Sequence, residues 1–165
     1  MRNYNDVVTK YISGELKVAK LKLTTLEGCP EHITGSFHCE SNKLASLIGG
    51  PQKVDGTYMC QSNRLTSLVG CASHIGDRLA FFSNPKISSL VGIHKIIKSC
   101  QGVWFDAENI TQGGIGLLLI EHMSGISTNT EPFKIIRSYI GQGTKGMMEC
   151  SKELISKGYA NYAQL

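Results

Sequence analysis

Long apolar runs are missing from this chain of 165 residues. The longest, IGLLLI at positions 115–120, falls well short of the ~20 residues that span a bilayer. The opening MRNYNDVVTKYI has no apolar core of the kind that directs secretion, so a cytoplasmic protein is the expectation. In that compartment thiols stay reduced, and the six cysteines read as free thiols rather than a disulfide framework. Charge is also sparse, at 18% against 41% hydrophobic residues. That balance excludes a disordered tail and leaves enough apolar mass for one domain with a core.

The usual marks of chemistry are absent too. No C-x-x-C or H-x-x-x-H spacing occurs, so no metal is expected. The GGIG stretch lacks the preceding strand and the lysine of a phosphate loop. His32 and His74 recur at equivalent places in EHITG and SHIGD, as surface residues of a repeat would, and His94 sits on the following turn. Only His122 breaks the pattern, and it has no nucleophile beside it. Nothing fills the roles of nucleophile, base and oxyanion donor, and no cofactor is implied.

What is present is a period. FHCESNKLASLIGGP at 37–51 returns as YMCQSNRLTSLVGCA at 58–72. The unit Leu-x-x-Leu-x-Gly occurs at Leu23–Gly28, Leu44–Gly49 and Leu65–Gly70, and as Ile-x-x-Leu-x-Gly at Ile87–Gly92, with a degraded start at Ile110. Ahead of each lies a pair of alternating apolar residues: Leu16/Val18, Phe37/Cys39, Tyr58/Cys60, Leu79/Phe81 and Val103/Phe105. Alternation of this kind marks a strand with one buried face. Asn42, Asn63 and Asn84 recur just after the strand.

This pattern resembles the leucine-rich repeat, in a short form similar to repeats of tailed phages and large viruses. The resemblance covers about residues 15–112. It implies an α+β fold: a short solenoid of about five units with a parallel sheet and an Asn ladder along its turns, closed by a C-terminal helical cap. An N-terminal cap over 1–14 and a helical region over 113–165 complete the expected organisation. An Asn side chain offers both donors and acceptors, which suits a turn buried between stacked units. Two departures stand out: Pro85 inserts an extra residue after Asn84, and Glu108 replaces the next Asn. A second register of the unit that holds Asn84, burying Ala80 and Phe82 instead of Leu79 and Phe81, stays open.

Beyond Ile110 the text reads as helices. The spacing predicts a buried one over 114–123, a second over EPFKIIRSYI capped by Thr130, and a third capped by Thr144 and stopped by Gly158. Met147, Leu154 and Ile155 would share the buried face of the third, with Lys145/Glu149 and Glu153/Lys157 paired outside.

Outward positions are free to serve a partner. One set is Lys17, His38, Met59, Ala80 and Trp104; a step further lie Ala19, Glu40, Gln61, Phe82 and Asp106. Met59, Phe82 and Trp104 fall on neighbouring strands and would form an apolar patch, unless the helices cover it. A second column, Lys22, Lys43, Arg64 and Lys86, forms a basic ridge that suits an acidic partner or phosphates, or is simply a solvated edge. The expected function is therefore a non-enzymatic protein–protein interaction module with the contact residues Lys17, His38, Glu40, Met59, Phe82, Trp104 and Asp106. The phage-like flavour points to an inhibitor that occludes a host or defence protein, such as a toxin or nuclease. The alternative is a nucleic-acid binder using the ridge with Trp104 as a stacking platform. More remote is an enzyme with a site between repeats and helices, near Glu121, His122 and Glu149.

Overall fold

A computed structural model describes residues 14–165, which combine helices with parallel sheets. The expected N-terminal cap lies, but for its last residue, outside the described residues. Among these residues the chain alternates between two main sheets. The odd-numbered strands β1 (Leu16–Lys17), β3 (Phe37–His38), β5 (Tyr58–Met59), β7 (Arg78–Ala80), β9 (Gly102–Trp104) and β11 (Gly125–Ser127) pair in that order as one sheet. A second sheet holds β2 (His32–Ile33), β4 (Lys53–Val54) and β6 (His74–Ile75), and single parallel bridges carry it on to Ser99 and Glu121. Strands β8 (Ser89–Leu90) and β10 (Gln112–Gly113) form a third pair, and a single helical turn, α1 (Ile93–Ile96), follows β8.

Register follows the repeat. Leu16, Phe37, Tyr58, Leu79, Val103 and Ile126 stand in one column, one per strand, and all are buried. The next inward column is Val18, Cys39, Cys60, Phe81 and Phe105. Leu79 and Phe81 thus face the core and Phe82 lies half-buried on the other side, which settles the register of the unit that holds Asn84. The extra Pro85 is exposed in a turn closed by the Ile87 N–H donating to the Asn84 carbonyl at 3.0 Å. An insertion there costs no sheet register, because the turn absorbs it.

Asparagine joins each unit to its neighbours. Asn63 Nδ2 donates to the carbonyls of Cys39 and Cys60 at 3.0 and 3.1 Å, while its Oδ1 accepts the Leu44 N–H at 3.0 Å. Asn42 and Asn84 make the corresponding bonds one unit away on either side. All three are buried, and their bonds satisfy backbone groups that no sheet ladder reaches. At Glu108 the ladder stops; its side chain is exposed within a tight turn over Ala107–Asn109. Just before each Asn, residues Ser41, Ser62 and Ser83 adopt left-handed φ of 54 to 58°. At Gly70, φ is +87° and an added Cβ would lie 2.3 Å from the Ile48 nitrogen of the preceding unit, so only glycine fits.

The segment after 112 departs from the expected run of helices. Instead of a helix over 114–123 there is a short 3-10 turn, Ile115–Leu119, and the chain then returns to the main sheet as β11. Gly113 and Gly114, with φ of 74 and 111°, block a regular helix start, and a short buried apolar run carries no periodicity that separates helix from return path. Helix α2 (Glu131–Ser138) follows Thr130, whose side chain makes no capping bond, with Pro132 in the first turn. Helix α3 (Gly143–Ser156) begins before Thr144, with Gln142 at the cap position. Gly158, φ +84°, ends it as expected: its N–H donates to Ile155 and that of Tyr159 to Leu154. The buried stripe is Gly146, Cys150 and Leu154, four residues apart, which turns Ile155 outward at 56% exposure. Glu153 and Lys157 pair at 3.0 Å, but Glu149 takes Lys152 rather than Lys145.

An aromatic chain ties these helices to the sheet. Phe81 stacks on Phe105 at 5.1 Å, Phe105 meets Phe133 of α2 edge-on at 4.9 Å, and Phe133 meets Tyr162 at 5.7 Å. Tyr162 Oη then donates to the Ile110 carbonyl at 2.8 Å. Edge-to-face rings add to plain burial, so the last turn of chain, α2 and strand β9 with Phe105 share one core.

Candidate interaction surface

Lys17, His38, Met59, Ala80, Trp104 and Ser127 are direct register partners, so the column expected on the outer face exists. Strands lie ~4.8 Å apart, which puts Met59 and Trp104 about 10 Å from each other with Ala80 between them. Ala80 is only 2% exposed, and its methyl lies between those two larger side chains. Met59, Phe82 and Trp104 are each half-buried. The helices therefore leave part of this patch open. The Arg78 guanidinium sits over the Trp104 ring, 5.0 Å from its centre, a contact in which the ring's negative face meets a cation.

The polar members of the expected contact set are engaged within the molecule. Glu15, absent from that set, binds Lys17 at 2.8 Å and His38 Nε2 at 2.6 Å. The hydrogen bond from Lys17, and then that from His38, hold its carboxyl below the ordinary value. Glu40 lies 3.6 Å from His38 Nδ1, and its Oε2, like Gln61 Oε1, accepts no hydrogen bond from the described residues. Asp106 Oδ2 accepts the Ser83 N–H at 2.6 Å and so supports the strained turn of the unit before it.

The basic column is exposed throughout. Lys22, Lys43, Arg64 and Lys86 each point to solvent, and none lies within ion-pairing distance of an acidic group among the described residues. Its positive potential is therefore uncompensated locally.

Two features were missed. Ile48, Val69 and Val91 follow the second Leu of successive units and are 63%, 50% and 43% exposed, forming an apolar stripe on another side. The signal was available: an apolar residue recurs where a polar one suffices. Arg78 and Arg137 are the second omission, and both line a recess of about 440 Å³ beside Trp104.

The residues of the remote catalytic reading do not converge. His122 lines a recess of about 240 Å³ on the second sheet with His74, Asp55, Lys53 and Ser99, whereas Glu149 pairs with Lys152 on α3. Asp55 there accepts from Lys53 and His32, which lower its pKa in that order. Ser73 Oγ and His74 Nδ1 are 2.9 Å apart but adjacent in sequence and exposed. The thiols offer no nucleophile. Burial pushes Cys29 and Cys150 up to about 12 and Cys100 to about 11, with Cys39, Cys60 and Cys71 raised further. Among the described residues no helix is long and apolar enough to cross a membrane, and no cluster of three metal-ligating side chains occurs. No family model, curated protein or solved structure matches this chain.

Proposed function

We propose that this protein is a non-enzymatic protein–protein interaction module, a short leucine-rich-repeat-like solenoid closed by α2 and α3. Its partner is a host-cell or defence protein, which it inhibits by occlusion as a phage-encoded inhibitor would. One observation supports this most: the only tryptophan stands half-open on the outer face of the six-stranded sheet, in register with Met59 and beside Phe82. Amphipathic aromatic side chains in such positions dominate binding energy at interfaces. The exposed stripe Ile48–Val69–Val91 offers further apolar area on the same short body.

The test is affinity capture from cell lysate with the wild-type protein and Trp104→Ala, each with and without nuclease, followed by reconstitution of the captured protein in pure form. Trp104→Ala is expected to weaken the reconstituted complex at least ~30-fold, as loss of a 2 kcal/mol anchor does. An unchanged affinity removes the outer face from the proposal. The second reading, nucleic-acid binding, draws on the exposed basic column Lys22, Lys43, Arg64 and Lys86. It predicts that nuclease abolishes capture and that affinity falls steeply with salt.

A further inference from the structure

We infer that the recess between Arg78, Trp104 and Arg137 receives a single carboxylate of the partner protein, an Asp or Glu side chain flanked by apolar residues. The inference rests on the interaction function proposed above and adds the chemistry of the contact. The floor of the recess is open because the register places Gly102 beside Arg78 and Gly125 beside Gly102, and neither carries a side chain. Strand β9 contributes the Trp104 wall, α2 the Arg137 side, and Ser127 of the edge strand β11 the rim. No Asp or Glu lines it.

Neither guanidinium is used up inside the molecule. Arg137 has no acidic group within ion-pairing distance among the described residues, and Arg78 has only Asp77, with Nε 3.6 Å from Oδ1, beyond a good hydrogen bond. The Arg78 guanidinium lies over the Trp104 ring without hydrogen-bonding to it, which leaves its edge of N–H donors free. A carboxylate meets such an edge with two parallel hydrogen bonds. A nucleobase instead needs the ring face of Trp104 that Arg78 covers, and a polyanion tracking the sheet would pass Glu15, Glu40 and Asp106. The geometry therefore favours one isolated negative charge over a nucleic-acid strand. Met59 and Phe82 beyond Trp104 suit the apolar neighbours of that residue.

Trp104 is the sole tryptophan, so its emission reports on the recess directly. The full chain is titrated with the blocked tripeptide N-acetyl-Leu-Asp-Leu-amide, with its Asn counterpart, and with inorganic phosphate. The Asp peptide is expected to give a saturable change, about tenfold tighter than the Asn peptide and weakened by added salt. Arg137→Gln, with an unchanged melting midpoint, should weaken it about tenfold, while Arg137→Lys keeps part of the effect. No saturable change, equal binding of the two peptides, or indifference to both Arg78→Gln and Arg137→Gln overturns the inference. Tighter binding of phosphate than of the Asp peptide also overturns it, in favour of a phosphate site. The two proposals fail separately. If the Arg78→Gln/Arg137→Gln double variant still holds a partner that Trp104→Ala loses, the carboxylate contact falls and the interaction face stands. If the Asp peptide binds but Trp104→Ala keeps the partner, the reverse holds.

Discussion

Asn63 makes bonds that no other residue in its unit can replace. Truncation to alanine strands the Leu44 N–H and removes a donor from the Cys39 and Cys60 carbonyls, all in the interior. Each unsatisfied buried group costs roughly 1–3 kcal/mol, so Asn63→Ala should lower the unfolding free energy by about 3 kcal/mol in a guanidinium titration. The neighbouring Ser62→Gly should change it by under ~1 kcal/mol, because relief of its φ of 56° offsets the added freedom of the unfolded chain. At this scale repetition made residues legible. Asn42, Asn63 and Asn84 announce themselves by returning in one place. Arg78 does not, because its column reads Glu15, Ser36, Thr57, Arg78, Gly102 and Gly125, with no shared chemistry from one unit to the next. Its meaning depends on Arg137, which is distant in sequence and arrives on α2. Glu15 escaped attention for a related reason: only the folded register brings it onto His38.

Elements were legible where two signals agreed. Strands β3, β5, β7 and β9 carry both alternation and a following Asn or Asp-containing turn, β1 carries the alternation and the Leu-x-x-Leu-x-Gly that follows it, and their inward faces are as expected. Strand β11 has no such support, since glycine and serine flank Ile126 and the preceding apolar run imitates a helix. Helices α2 and α3 appeared in place, but their buried faces depended on contacts with other elements. Phe133 is the clearest case. It is fully buried between Phe105 and Tyr162, and so links α2 to both the sheet and the C-terminal turn. Phe133→Ala should cost about 4 kcal/mol. Hydrogen exchange should locate the loss in α2, α3 and the turn over Ala160–Ala163, with amides of β3 and β5 keeping their protection. Equal loss across all six strands would show that the helices and the sheet unfold as one unit.

For the whole molecule, the buried thiols set a limit on the alkaline side. Cys39, Cys60, Cys71, Cys100 and Cys150 are all buried, and each is held neutral well above the ordinary thiol value of 9.0. The unfolded chain ionises near 9 and the folded one does not. Their contribution is thus fully present below pH 9 and is lost as pH rises from there through the folded values. Each thiol removes about 1.4 kcal/mol per pH unit in that window. The guanidinium midpoint under reducing conditions should fall steeply between pH 9 and pH 10, and Cys60→Ala should shallow the slope by one proton's worth. A flat profile would mean that the thiols ionise without unfolding.

The asparagine ladder has one more consequence, and it concerns inheritance. From Asn42 to Asn63 and from Asn63 to Asn84 the chain spends 21 residues and hands its neighbour the same set of bonds. Excising residues 43–63 would join Asn42 to Arg64 and leave the phrase Asn-Arg-Leu-Thr-Ser-Leu-Val-Gly intact. Duplication or loss of such a segment therefore alters how far the outer face reaches without requiring a new core. A lineage of such chains can change its span in whole steps, while the aromatic-tied C-terminal end stays as it is.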